Sequence, residues 1–157
     1  MIFTKLLYKN ILSTGNQWTE LQLDKHKTCL IVGANGSGKS TILDALCFAL
    51  FNKPFRPDFN KPQLVNSITG KGLVVEIEFT VGKKEYKIIR GIKPAIFEVY
   101  ENGKLLNQDA NVRDYQDYLE KSIIKTNHRS FCQIIILGSA NYMPFMKLPA
   151  QYRREVV

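Results

Sequence analysis

The 157-residue chain has no apolar run near the ~20 residues that a bilayer-spanning helix requires, which excludes a helical membrane anchor within it. Its opening, Met1-Ile2-Phe3-Thr4-Lys5, lacks the apolar core of a signal peptide and alternates like a strand. Cysteine is sparse. Cys29, Cys47 and Cys132 are odd in number, scattered and set among apolar residues, which predicts reduced, buried thiols rather than a disulfide framework, and their spacing is not that of a metal site. Internal repeats and low-complexity segments are absent. So is any run of four apolar residues closed by an acidic one: Leu21-Gln22-Leu23-Asp24 and Val75-Glu76-Ile77-Glu78 come nearest, and both alternate. Acidic residues are also outnumbered, 14 against 22 basic, for a formal charge of +8. Such an excess favours an acidic polymer as partner, most often nucleic acid, over a surface charged for solubility alone.

What the chain does have is a phosphate-binding loop. Gly33-Ala34-Asn35-Gly36-Ser37-Gly38-Lys39-Ser40 fits G-x-x-x-x-G-K-[ST]. The apolar run Cys29 to Val32 before it reads as a buried strand. Ile42, Ala45, Leu46, Ala49 and Leu50 after it recur at helical spacing. Glycines let successive N–H groups turn inward, and the helix start adds positive potential. In such a site Lys39 bridges the β- and γ-phosphates of ATP, Ser40 ligates Mg²⁺ and Thr41 bonds on the α-phosphate side. The alternative, a chance glycine turn capping a helix, does not account for a strand before and a helix after.

Around this loop the pattern is mixed. Residues 2–9 and 18–23 predict a hairpin across a turn at 10–17, with Trp18 packed in the core rather than free to stack on bases. Residues 52–66 carry Pro54, Pro57 and Pro62 with Lys53, Arg56 and Lys61, an irregular basic loop. Phe55 and Phe59 within it either anchor the loop to the core or stack on bases beside phosphate contacts. Residues 73–106 predict an antiparallel meander, closed by a hairpin at Asn102-Gly103. Arg90 on it reads as a surface charge or a basic contact. A helix is expected over 111–121, with Val112, Tyr115, Tyr118 and Leu119 on one face. Residues 127–131 read as a linker and Cys132 to Leu137 as a second buried strand. A helix from Pro149 carries Arg153 and Arg154. Asp44, one turn into the P-loop helix, reads as a carboxylate favoured by the helix dipole rather than a catalytic acid.

Gly33 to Leu46 resembles the G-x-N-G-x-G-K-S-x-x-x-D-A-[IL] form of the P-loop found in SMC-like, ABC-type ATPases that work on DNA. Leu7 to Ser13 resembles their first strand and turn, and Phe131 to Met146 with Arg153-Arg154 resembles their Q-loop strand and the start of a coiled coil. Leu137 to Met146 is most similar to the ATPase subunits of double-strand-break repair and recombination nucleases, those of phages included. The likeness runs over essentially the whole chain. It implies an α/β fold: the N-terminal lobe of an ABC-type ATPase head (1–157) with an antiparallel β-subdomain (about 73–106) and flanking helices. The P-loop would span 33–41, the Q-loop region 131–146 and the coiled-coil start about 149–157.

The resemblance further implies ATP and Mg²⁺ as cofactors and, as partners, the head's own C-terminal lobe, a second head, a nuclease subunit and DNA, with no membrane. Head closure on ATP would regulate the nuclease in recombination, replication and end processing, in the cytoplasm, the host's if the source is a phage. The missing acidic residue would come from the C-terminal lobe. By position, Ser139 replaces the family's Q-loop glutamine at the metal and attacking water. Gln133 is the other candidate, although it lies six residues earlier, about 20 Å along a strand at ~3.3 Å per residue. Asn66, Ser67 and Ile68 correspond to the ribose and base segment, and Leu12 stands where relatives often carry a basic residue, so that base contacts there would be backbone or apolar. Two competing readings are a small P-loop kinase of a metabolite and a non-hydrolytic, nucleotide-gated DNA-binding module.

Overall fold

A computed structural model describes residues 1–106, 112–136 and, near the C-terminus, 149, 151, 153 and 154. It is a mixed α/β fold built on one antiparallel sheet. Strands β1 (Ile2–Lys9), β2 (Thr19–Gln22), β3 (Leu73–Val81), β4 (Lys84–Ile92), β5 (Ile96–Glu101) and β6 (Lys104–Leu105) run in the order β2-β1-β3-β4-β5-β6. Both expected hairpins are present. Leu6 pairs with Leu21 across β1 and β2, and Asn102 and Gly103, both at positive φ, turn β5 into β6.

Alternation decides which face is core. Leu73, Val75, Ile77 and Phe79 of β3 are buried, as are Leu6 and Tyr8 of β1 and Ile88 of β4. The opposite face carries charge, with Lys87 paired to Glu76 at 2.8 Å. Helix α1 (Thr41–Phe51) closes the core through Ala45, Phe48, Ala49 and Phe51. Helix α2 (Val112–Tyr118) runs on into a π-turn, Leu119–Ile124, and α3 (His128–Ile134) follows, capped by the Asn127 side chain accepting from Ser130 N–H. Tyr115 and Leu119 are buried as expected from their shared face, but Tyr118 is exposed; Asn111 lies outside the described residues. Further on, the Arg153 N–H donates to Pro149 O at 3.1 Å, one helical turn.

Several expectations are overturned. Cys29 to Val32 forms no strand: Leu30 and Val32 are 86% and 81% exposed, because no described strand lies beside them to pair with. Cys29 is accordingly exposed rather than buried. Residues 128–134, read as linker and then strand, are helical, since a continuous apolar run carries no periodicity that separates a strand from a buried helix. Trp18 is 45% exposed and packs under the Lys9 ammonium, 4.7 Å from its ring centroid, rather than in the core. The loop 52–66 is irregular as expected apart from a 3₁₀ turn, Lys61–Leu64.

Arg90 is the largest departure. It is buried on β4, where its Nε donates to Ala49 O (3.0 Å), its NH2 donates to Gln116 Oε1 (2.7 Å), and its guanidinium lies 3.8 Å from the Phe97 ring centroid. Gln116 Nε2 in turn donates to Leu50 O at 3.0 Å. Two carbonyls that the last turn of α1 cannot satisfy internally thus find donors, one of them cationic at the negative end of the helix. Burial pulls the Arg90 pKa down to about 9, so it is still charged at neutral pH.

Arg90→Leu removes the cation and leaves Ala49 O and Gln116 Oε1 short of a donor. It should destabilise the fold by about 3 kcal/mol, read as a melting temperature lower by roughly 6–12 °C. An unchanged melting temperature would show that the clamp contributes nothing.

Candidate functional site

The P-loop lies at the N-terminal end of α1 and borders a cleft of about 600 Å³. Gly36 (φ +83°) and Gly38 (φ +90°) hold conformations that residues with a Cβ rarely adopt, so the loop folds back before the helix begins. Ser40 is the N-cap, its side chain makes no capping hydrogen bond, and it is exposed. Thr41 N–H and Leu43 N–H bond back to Gly38 O and Ser40 O, but no side chain caps the turn, so the positive end of the helix faces the cleft. Lys39 Nζ donates to Gly33 O (2.6 Å) and Ala34 O (2.8 Å), folded over its own loop. A flexible ammonium held only by exposed carbonyls can exchange them for phosphate oxygens, so the donor set suits a polyphosphate and, through Ser40, a hard divalent cation.

Asn35, Gly36, Gly38, Lys39, Ser40 and Thr41 form one wall of the cleft. The other wall comes from the turn after β1 and from the basic loop: Leu12 and Ser13, then Arg56, Phe59, Gln63, Val65 and Ser67. Leu12 N–H donates to Leu64 O at 2.7 Å, and its carbonyl accepts from Asn66 Nδ2 at 2.7 Å. Leu12 therefore offers the cleft mainly apolar surface. Among the ribose and base candidates, Ser67 lines the cleft, while Asn66 and Ile68 are not among its lining residues. Asn66 is buried, donating to Leu12 O and Thr14 O and accepting from Ile68 N–H and Thr69 N–H; Ile68 is 92% exposed. Asn66 serves as the pin between two loops.

Asp44 explains how the basic loop is held. It is fully buried, and its carboxylate accepts from Phe55 N–H (3.1 Å) and Arg56 N–H (3.3 Å), then from Arg56 Nε (2.9 Å) and NH2 (2.7 Å) in a two-pronged ion pair. The dipole of α1 also favours a carboxylate there, but the contacts make Asp44 the loop's anchor. Phe55 is buried beside it, and Phe59 lies 4.2 Å beneath the Arg56 guanidinium. The loop reading of Phe55 holds. Arg56 is not a free basic contact: it is committed to Asp44 and to the cleft wall. Nothing local in the sequence pairs residues 12 positions apart across an irregular loop.

Ser139, with the whole segment 137–148, lies outside the described residues. Gln133 sits on α3, partly buried, and is not among the residues lining the cleft, so the extended-strand distance used to set it aside no longer applies.

The family model for an AAA domain matches residues 5–154, from β1 through the P-loop to the C-terminal helical turn. The chain belongs to this AAA-domain family. Among curated proteins, exonuclease subunit 2 of Enterobacteria phage T4 and that of Escherichia phage RB69 are each 46% identical over 153 residues, 98% of this chain. The DNA double-strand break repair Rad50 ATPase of Thermoplasma acidophilum is 39% identical over 103 residues, 60% of this chain and 11% of that protein. The AAA-domain chain spans 27% of the length of either phage relative. A solved chain from work on ATP-driven dimerization and DNA-stimulated activation of SMC ATPases superposes with a TM-score of 0.61, at 21% identity, over 99% of this chain and 97% of its own. The resemblance is thus borne out as similarity to phage exonuclease subunits and to a Rad50 ATPase, and the mixed α/β fold with it.

Arg56→Ala leaves the Asp44 carboxylate buried with only backbone donors. It should cost about 3 kcal/mol and speed proteolysis within residues 52–60. Arg56→Lys should restore little, because an ammonium cannot reproduce the paired geometry. Full rescue by lysine would mean that charge alone holds the loop.

Proposed function

We propose that this chain is the ATP-binding lobe of an SMC-like ATPase head, whose nucleotide-driven association with a second head regulates a partner nuclease on DNA during recombination, replication and double-strand-break processing. The observation that carries the proposal is the uncapped start of α1 beneath a folded-back Lys39, opening on a cleft large enough for a nucleotide. Gly33 to Thr41 hold the phosphates: Lys39 neutralises the β- and γ-phosphates, Ser40 ligates Mg²⁺ and Thr41 bonds on the α-phosphate side. Bound Mg²⁺ supplies charge neutralisation at the phosphates. Leu12, Ser67 and the stacked Arg56 and Phe59 wall the remainder of the cleft, suited to the sugar and base. Ser139 keeps its assignment at the metal and attacking water, with Gln133 as the alternative.

The exposed run Leu30-Ile31-Val32 supports a head completed by another lobe. Three consecutive apolar residues leading into a P-loop are costly in water, at about 25 cal/mol per Å² of apolar surface. A strand from a C-terminal lobe that also brings the missing carboxylate would cover them. Lys53 and Lys61 remain exposed on the loop that rims the cleft and are candidates for DNA phosphates.

Lys39→Ala should abolish Mg-ATP binding, measured by calorimetry; parental affinity in the variant would remove the P-loop assignment. ATP turnover should be absent in this chain alone and appear, stimulated by DNA, when the C-terminal lobe is added, with amides 29–32 gaining protection from hydrogen exchange. Turnover by this chain alone would place the catalytic acid here and refute the divided head. Replacing Lys53 and Lys61 together should lower the salt slope of DNA binding by about two, and an unchanged slope would clear them of that role.

A further inference from the structure

Cys47 on α1 and Cys132 on α3 are 85 residues apart in sequence, yet their sulfurs stand 3.9 Å apart. His128, one turn before Cys132 on α3, brings its Nε2 to 3.6 Å from the Cys132 sulfur. The three ligand atoms all lie within 4.8 Å of one another. These separations have a chemical meaning. Tetrahedral Zn²⁺, with Zn–S about 2.3 Å and Zn–N about 2.0–2.1 Å, sets S···S edges near about 3.8 Å and S···N edges near about 3.6 Å. The sulfur–sulfur gap is nearly twice the ~2.05 Å of a disulfide.

We infer that Cys47, His128 and Cys132 form a Cys₂His site for a thiophilic divalent cation, Zn²⁺ foremost, that staples α1 to α3. Three features support it beyond the distances. The two thiols and the imidazole are soft or borderline donors of the kind Zn²⁺ selects over Mg²⁺. A carbonyl oxygen, that of Pro54, lies 3.0 Å from His128 Nε2 and can serve as a fourth donor. His128 is also braced edge-on against Phe51, at 5.6 Å between centroids, so its ring is held in place without the metal. Cys47 is fully buried, while His128 and Cys132 lie nearer the surface and give a route of entry. On binding, each thiol gives up its proton to solvent, and Nε2, which donates to Pro54 O, gives up its own while Nδ1 takes one from solvent, so that the neutral ring presents the Nε2 lone pair to the metal. The consequence is mechanical: α1 carries the P-loop at one end, so a metal at Cys47 would fix α3, and the chain that follows it, against the nucleotide-binding helix.

The test uses the intact, reduced and metal-stripped protein with Co²⁺ as the probe. The parent should bind one more equivalent than Cys132→Ser or His128→Gln. The extra ion should show tetrahedral ligand-field bands and a thiolate charge-transfer band, and Cys29→Ser should match the parent. A second measurement needs no variant: Zn²⁺ should slow alkylation of Cys132 at least tenfold while leaving the exposed Cys29 unaffected. Equal Co²⁺ uptake in parent and variants, equal alkylation of Cys132 with and without Zn²⁺, or a Cys47–Cys132 disulfide with no metal uptake after its reduction would each overturn the inference.

Discussion

The seating of α1 on the sheet is the constraint from which the rest follows. Eleven residues rise about 16 Å, and along that length the helix is held by buried polar contacts as well as apolar packing. At its C-terminal end Arg90 and Gln116 satisfy Ala49 O and Leu50 O. In the first turn, Asp44 draws in Phe55 and Arg56. Three residues on, Cys47 meets Cys132 of α3. The N-terminal end alone is left without a side-chain cap, and it opens on the cleft.

That distribution separates scaffold from site. Carbonyls at the C-terminal end of the helix are held by side chains from other elements, whereas no side chain caps the N-terminal end, whose positive dipole faces the cleft. Asp44 links scaffold and site. By fixing Arg56 it sets the position of Phe59, so one buried carboxylate shapes both the stability of the loop and the far wall of the cleft. Perturbing that pair would therefore affect folding and nucleotide affinity together, and the two are separable by comparing binding at temperatures well below unfolding.

The exposed apolar run before the P-loop fits the same logic. Sheets bury their hydrophobic strands only where neighbours exist, and here the antiparallel sheet is complete without residues 29–32. A strand expected from sequence thus remains an unpaired segment.

Sequence by itself determined the features that depend on near neighbours. The P-loop and its helix, the 73–106 meander and the Asn102-Gly103 turn rest on spacings of a few residues, where backbone geometry and side-chain periodicity act directly. Tertiary structure decided what depends on partners far along the chain. Whether Arg90 is a surface charge or a buried clamp depends on α1 lying 41 residues away, and whether Asp44 tunes a dipole or holds a loop depends on Arg56. The apolar stretch from Phe131 has no period to report, and packing made it helical as far as Ile134 where alternation would have made it a strand. His128 and Cys132 stand one helical turn apart, but Cys47 lies 85 residues before Cys132, and only the packing of two helices brings the three together. Local patterns are written in sequence as distances along the chain; contacts between elements are set by burial and charge, and only folding turns them into distances in space.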